Sequence, residues 1–162
     1  MVYRQAKPQG TLLKEFREHV VKGHGAKQIV DDILMPMAEV YEELTGSSYS
    51  STERAEAINE SLKWLNRLEF NDWLPPALAF AVRWRAQPAA MEDFFRDLER
   101  VAYFMLITRA GINDRIERFS RLTKEIEAGG NTQTLLPEYF YCPGLRRLTI
   151  RFSFRMACSS SP

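Results

Sequence analysis

Met91-Glu92-Asp93-Phe94-Phe95-Arg96-Asp97-Leu98-Glu99-Arg100-Val101-Ala102-Tyr103-Phe104-Met105 is the stretch that decides the fold. Met91, Phe94, Phe95, Leu98, Val101, Ala102 and Met105 recur at helical spacing, which places them on one side of an α-helix. From Val101 to Ile107 every residue is apolar. A helix that is apolar all round is one enclosed by neighbours, so this segment is expected to be the central helix. Pro88 starts it, because a first helical turn leaves amide donors without partners anyway, and Gly111 ends it.

Working outward, the same periodicity recurs on both sides. Downstream, Asn113 can cap a helix with Ile116, Phe119, Leu122 and Ile126 facing inward, stopped by Gly129-Gly130. Upstream, Pro75-Pro76 suit the first turn of a short helix carrying Ala77, Leu78, Phe80, Ala81, Val82 and Trp84. Leu74 precedes a proline and is expected outside helical geometry. Ile58, Leu62, Leu65 and Leu68 mark an earlier helix ending near Asn71-Asp72, with Ser50 and Glu53 at capping-box spacing before it. Ile29, Ile33, Leu34, Met37, Val40, Tyr41 and Leu44 form another stripe, and Pro36 predicts that this helix is either kinked or split just before it. Thr11 can cap a first helix bearing Leu12, Leu13, Phe16, Val20 and Val21, which Gly23-His24-Gly25 breaks. The expectation is an all-α bundle of about six helices over residues 11–130, preceded by a short extension, residues 1–10.

Residues 131–162 change character. Leu148, Ile150, Phe152, Phe154 and Met156 alternate with Arg147, Thr149, Arg151, Ser153 and Arg155, a period of two that reads as a strand. A lone strand after six helices has no sheet to join, and an isolated one is marginal in water. The tail is therefore expected to be poorly ordered or a short β-like segment, unless a partner completes it.

Composition bounds the function. At 162 residues with a net charge of +1, the chain is neither a histone-like basic protein nor an acidic tail. Its two cysteines, Cys142 and Cys158, cannot supply a disulfide framework or a four-ligand zinc site. No apolar run approaches the roughly 20 residues that span a bilayer, and the first residues lack an apolar signal core. These features predict a soluble cytoplasmic protein with no membrane partner. His19 and His24 stand without a supporting carboxylate or cysteine cluster, and neither a nucleophile elbow nor a phosphate-binding glycine loop occurs. Cys142, beside Pro143-Gly144, reads as an inert thiol. Glu92-Asp93, Asp97, Glu99, Glu125 and Glu127 alternate with Arg96, Arg100, Arg121 and Lys124, as on a solvated face with spaced ion pairs. No catalytic residue, metal or cofactor is expected. Arg115, Arg118 and Arg121, three apart and drifting slowly around one helix, are candidate phosphate contacts. Arg147, Arg151 and Arg155 form a second basic stripe in the tail.

Leu65-Asn66-Arg67-Leu68, Asp72-Trp73-Leu74-Pro75-Pro76-Ala77-Leu78, Phe94-Phe95-Arg96-Asp97-Leu98-Glu99-Arg100 and Asn113-Asp114-Arg115-Ile116-Glu117-Arg118-Phe119 follow one another in an order and spacing that resemble the helical middle region of GmrSD-type restriction proteins. The likeness covers residues 10–128. It implies a modular parent with a ParB-like, nucleotide-using half before this region and a metal-binding HNH nuclease half after it, cleaving DNA in defence against phage. The chain departs from that pattern at both ends: it has no Asp-Gly or Gln-Arg dipeptide and no histidine after His24. The resemblance therefore implies a non-catalytic scaffold segment, a truncated or partial copy, meeting DNA only in the full-length context. The alternatives are a free-standing protein–protein interaction module, with a related full-length restriction protein as partner, and a weak nucleic-acid-binding domain.

Trp64, Trp73 and Trp84 are expected to pin helix junctions, with Trp73 packed into the corner before Pro75-Pro76. Replacing Trp73 by Ala should lower stability by about 3–5 kcal/mol. A thermal melt unchanged by the substitution would show an exposed indole instead.

Overall fold

The computed structural model describes residues 11–129, and six α-helices dominate them: α1 (Leu12–His19), α2 (Met35–Gly46), α3 (Ala55–Leu65), α4 (Leu74–Trp84), α5 (Pro88–Ile107) and α6 (Ile112–Glu127). No strand occurs among the described residues, so the all-α expectation holds there. The extension, residues 1–10, and the tail, residues 131–162, lie outside them.

Pro36 shapes the entry to α2. A regular α-helix would drive its ring into the carbonyl of Asp32, four residues back. The chain avoids this by widening instead of breaking: a single turn, Ala26–Gln28, runs into a π-helical segment, Ile29–Leu34, in which the Met35 amide bonds to the Val30 carbonyl. Pro36 then falls in the first turn of α2. One extra residue per turn relieves the clash without losing helical direction.

The helices pack as an α3–α5 layer and an α2–α4–α6 layer, joined where α4 meets α5. Phe80 on α4 stacks on Phe94 of α5 with ring centroids 3.9 Å apart, and on Trp84 at 4.6 Å. Phe95 meets Phe94 edge-on at 5.5 Å. Trp73, Phe80, Phe95 and Phe119 are the largest fully buried side chains. The helix with most neighbours is thus α4, not α5. Ala77, Ala79 and Ala81 let flanking helices approach α4 closely, whereas α5 turns Leu106 and Ile107 to solvent, Ile107 at 77% exposure. An apolar run of seven residues is too short, at the end of a helix, to show enclosure.

Several caps differ from the expected ones. Thr11 occupies the position before α1, but its hydroxyl makes no capping bond. The Ser50–Glu53 box does not form: α3 begins at Ala55 after Arg54, which adopts φ 61°, and the Glu53 amide bonds to Ser51 Oγ. The competing demand is on Tyr49, whose backbone is bridged by the Asn59 side chain at 2.8 and 2.9 Å and whose hydroxyl donates to the Arg85 carbonyl at 2.7 Å. α3 stops at Leu65, short of Asn71-Asp72, because the Asn66 amide turns back to donate to the Leu44 carbonyl at the end of α2. Leu74 opens α4 despite preceding a proline, its amide bonding to the Asn71 carbonyl at 3.1 Å. Gly111, not Asn113, stands before α6.

The end of α5 is closed by Arg109 at φ 52°, with the Ala110 amide bonding to the Met105 carbonyl at 2.9 Å. This is the bonding of a left-handed helix stop, which favours glycine. A side chain in this backbone region costs about 1–2 kcal/mol. Arg109→Gly should therefore raise the denaturant midpoint by an amount equivalent to roughly 1 kcal/mol; an unchanged or lower midpoint in urea titration would contradict the strain.

Candidate functional site

Arg115 is the first of the three arginines expected to contact phosphate, and the structure turns it inward. Its Nε donates to Asp72 Oδ2 at 2.9 Å and its terminal nitrogen to the Ala110 carbonyl at 2.9 Å. Its guanidinium lies 4.4 Å over the Phe70 ring. One side chain thereby fastens the start of α6 to the turn that leads into α4. Each three-residue step around an α-helix falls about 60° short of a full turn, so the series drifts from inside to outside. Arg115 has 18% of its side chain exposed, whereas Arg121 has 61% and lies 3.9 Å from Glu125. Arg118, between them, is half-buried. The three do not share one outward face. Arg147, Arg151 and Arg155 lie outside the described residues.

Beside Asp72, Trp73 is 1% exposed, and its indole N–H has no hydrogen-bond partner among the described residues. An unmatched buried donor costs about 1–3 kcal/mol, which the burial of so large a ring offsets. At the opposite end of the layer, Arg83 of α4 donates to the Ile126 and Glu127 carbonyls at 2.7 and 3.2 Å, capping α6. Two residues on, Arg85 pairs with Glu43 of α2 and lies 3.6 Å from Glu39.

A groove of about 310 Å³ runs between α3 and α5, lined by Ala57, Glu60, Ser61, Trp64, Glu92, Arg96 and Glu99. Trp64 does not pin a junction here: it is half-exposed, with the Arg67 guanidinium 4.4 Å over its ring. Its backbone joins α5, accepting a hydrogen bond from the Tyr103 hydroxyl at 3.0 Å. Arg54 reaches Glu92 at 2.6 Å, and this hydrogen bond, with the attraction of the carboxylate, raises the guanidinium pKa above its ordinary value. Arg96 bonds to Asp93 at 2.7 Å and Arg100 to Asp97 at 3.4 Å, the spaced pairs expected of a solvated face. The groove walls offer carboxylate acceptors, one guanidinium and an indole, with no histidine or cysteine among them. Helical spacing contains a hint of this: Trp64 falls off the Ile58–Leu62–Leu65 stripe, but the groove itself needs the α3–α5 pairing, which no local pattern shows.

His24 is exposed at the turn after α1, its Nδ1 2.9 Å from the Val20 carbonyl. Among the described residues no group of three or more His, Cys, Asp or Glu is arranged to hold a metal ion. No helix among them is long and apolar enough to cross a membrane. No family model matches the chain, and no curated protein or solved structure matches it significantly.

The Asp72–Arg115 contact is partly shielded from water, with 24% and 18% of the side chains exposed. A double-mutant cycle with Asp72→Ala and Arg115→Ala should give a coupling energy of about 1 kcal/mol. Strictly additive losses in chemical denaturation would show that the pair does not fasten α6.

Proposed function

We propose that residues 11–129 are a non-catalytic helical scaffold segment of a GmrSD-like, cytoplasmic DNA restriction protein acting in phage defence, in a truncated or partial copy. The observation that supports this reading most directly is the Asp72–Arg115 ion pair. It joins two of the stretches that carry the resemblance, Asp72-Trp73-Leu74-Pro75-Pro76 and Asn113-Asp114-Arg115-Ile116. Trp73, from the first of these, and Leu98, from the Phe94–Arg100 stretch, are buried in the common core. Residues on which the resemblance rests thus hold helices to one another, the role a connecting region has between two working halves. DNA is met in the full-length context.

A second reading, a protein–protein interaction module, draws on the α5–α6 corner, where Ile107 and Ile112 are 77% and 64% exposed. Ile107→Ser/Ile112→Ser then abolishes capture by a related full-length restriction protein, whereas the scaffold reading predicts no capture that depends on these two residues.

The scaffold reading predicts that the purified chain neither nicks supercoiled plasmid with Mg²⁺ or Mn²⁺ nor hydrolyses nucleotide. Metal-dependent nicking that copurifies with the chain and disappears in a variant of its own residues would overturn it. It also predicts weak DNA binding in fluorescence anisotropy at low salt. Tight binding that falls steeply with added salt would favour a nucleic-acid-binding domain.

A further inference from the structure

Large apolar side chains are unevenly exposed. Leu34, Met35 and Tyr41 stand out from α2 and its π-helical lead-in, each about half-exposed. The opposite side of the same helix buries Val40 and Leu44 in the core. Leu34, Ala38 and Tyr41 are spaced four and three apart, so they form one outward stripe. The helix that bears this stripe is acidic: from Gln28 to Thr45 there are five carboxylates and no lysine or arginine, and of the five Glu39 and Glu43 meet Arg85, just after α4, while Asp31, Asp32 and Glu42 stand exposed around the stripe. An exposed apolar stripe rimmed by one charge marks a surface that is covered by something of the opposite charge.

Residues 145–156 have that chemistry. They carry four arginines and no carboxylate, and their apolar residues alternate with polar ones. The point of departure is also suitable. α6 ends against Arg83, which caps it, and Arg85, two residues on, is already paired with Glu43 of α2. The chain therefore leaves the described residues close to the end of α4 that adjoins α2. Residues 130–146 span up to about 55–60 Å when extended, ample for a domain whose radius of gyration is about 13–14 Å.

We propose that residues 146–156 of the same chain cover the outer face of α2 and its π-helical lead-in. Leu148, Ile150, Phe152 and Phe154 lie over the Leu34–Tyr41 stripe. The long arginine stems reach past the edge of the covering segment to the rim carboxylates, keeping their charged heads wet. The surface is thus an intramolecular dock, and the proposal stands independently of the scaffold reading.

The test uses the full chain with Cys142→Ser and a nitroxide on Cys158. The expected result is selective loss of amide NMR intensity at Leu34, Met35 and Tyr41, with Arg96 and Arg100 on the outer face of α5 unaffected. The loss should disappear in Arg147→Glu/Arg151→Glu/Arg155→Glu and return when Asp31→Lys/Asp32→Lys/Glu42→Lys is added to that variant. Unchanged α4 signals in both variants establish that the domain remains folded. The proposal is overturned by intensity that is never lost at α2. It is equally overturned by loss that survives arginine reversal. Loss at the α2 of unlabelled chains mixed with labelled ones would place the segment on a second copy, and that also overturns the intramolecular dock.

Discussion

Enclosure of α4 between α2, α5 and α6 is the constraint on which the rest of the structure depends. Burying a large apolar side chain contributes about 1.5–3 kcal/mol, and α4 brings Phe80 and the junction residue Trp73 into one core with Phe94 and Phe119. Between Leu74 and Trp84 the only charged residue is Arg83, near the C-terminal end. There it becomes a cap for α6 instead of an obstacle to packing. The two ends of the helix then set its neighbours: Asp72, just before it, holds the start of α6 through Arg115, and Arg85, just after it, holds α2 through Glu43.

The helical stripes were legible because burial and periodicity are the same fact in an α-helix. Met91 to Met105 and Ile58 to Leu65 face inward as their spacing requires. Proline was legible at Pro75-Pro76 and Pro88, where a first turn wants no amide donor. It was ambiguous at Pro36, because kinking, splitting and widening all relieve the same clash. Caps were poorly legible. Ser50–Glu53 and Asn113 have suitable local chemistry, yet the chain at Arg54 and Gly111 is steered by distant partners of Tyr49 and by the α5–α6 turn. The rank of α4 over α5 was obscured by the length of α5. A short helix of small residues makes less of a pattern while fitting more neighbours.

The candidate site shows the same division. The drift of Arg115, Arg118 and Arg121 follows from helix geometry, but which end of the drift points inward depends on Asp72 and Phe70, more than 40 residues away in the chain. The α3–α5 groove is a product of packing two helices whose individual patterns show only a core face and a charged face. Asp72 and Arg115 serve as fasteners, and the exposed surface is acidic and apolar on α2 and carries paired charges on α5.

Native-state amide hydrogen exchange followed residue by residue tests the primacy of α4 most directly. Phe80 and Ala81 should exchange only through global unfolding, with the free energy measured by chemical denaturation, while α1 and the π-helical segment open at lower free energy. Exchange of the α4 amides through a partial opening that leaves α3 and α5 protected would contradict it.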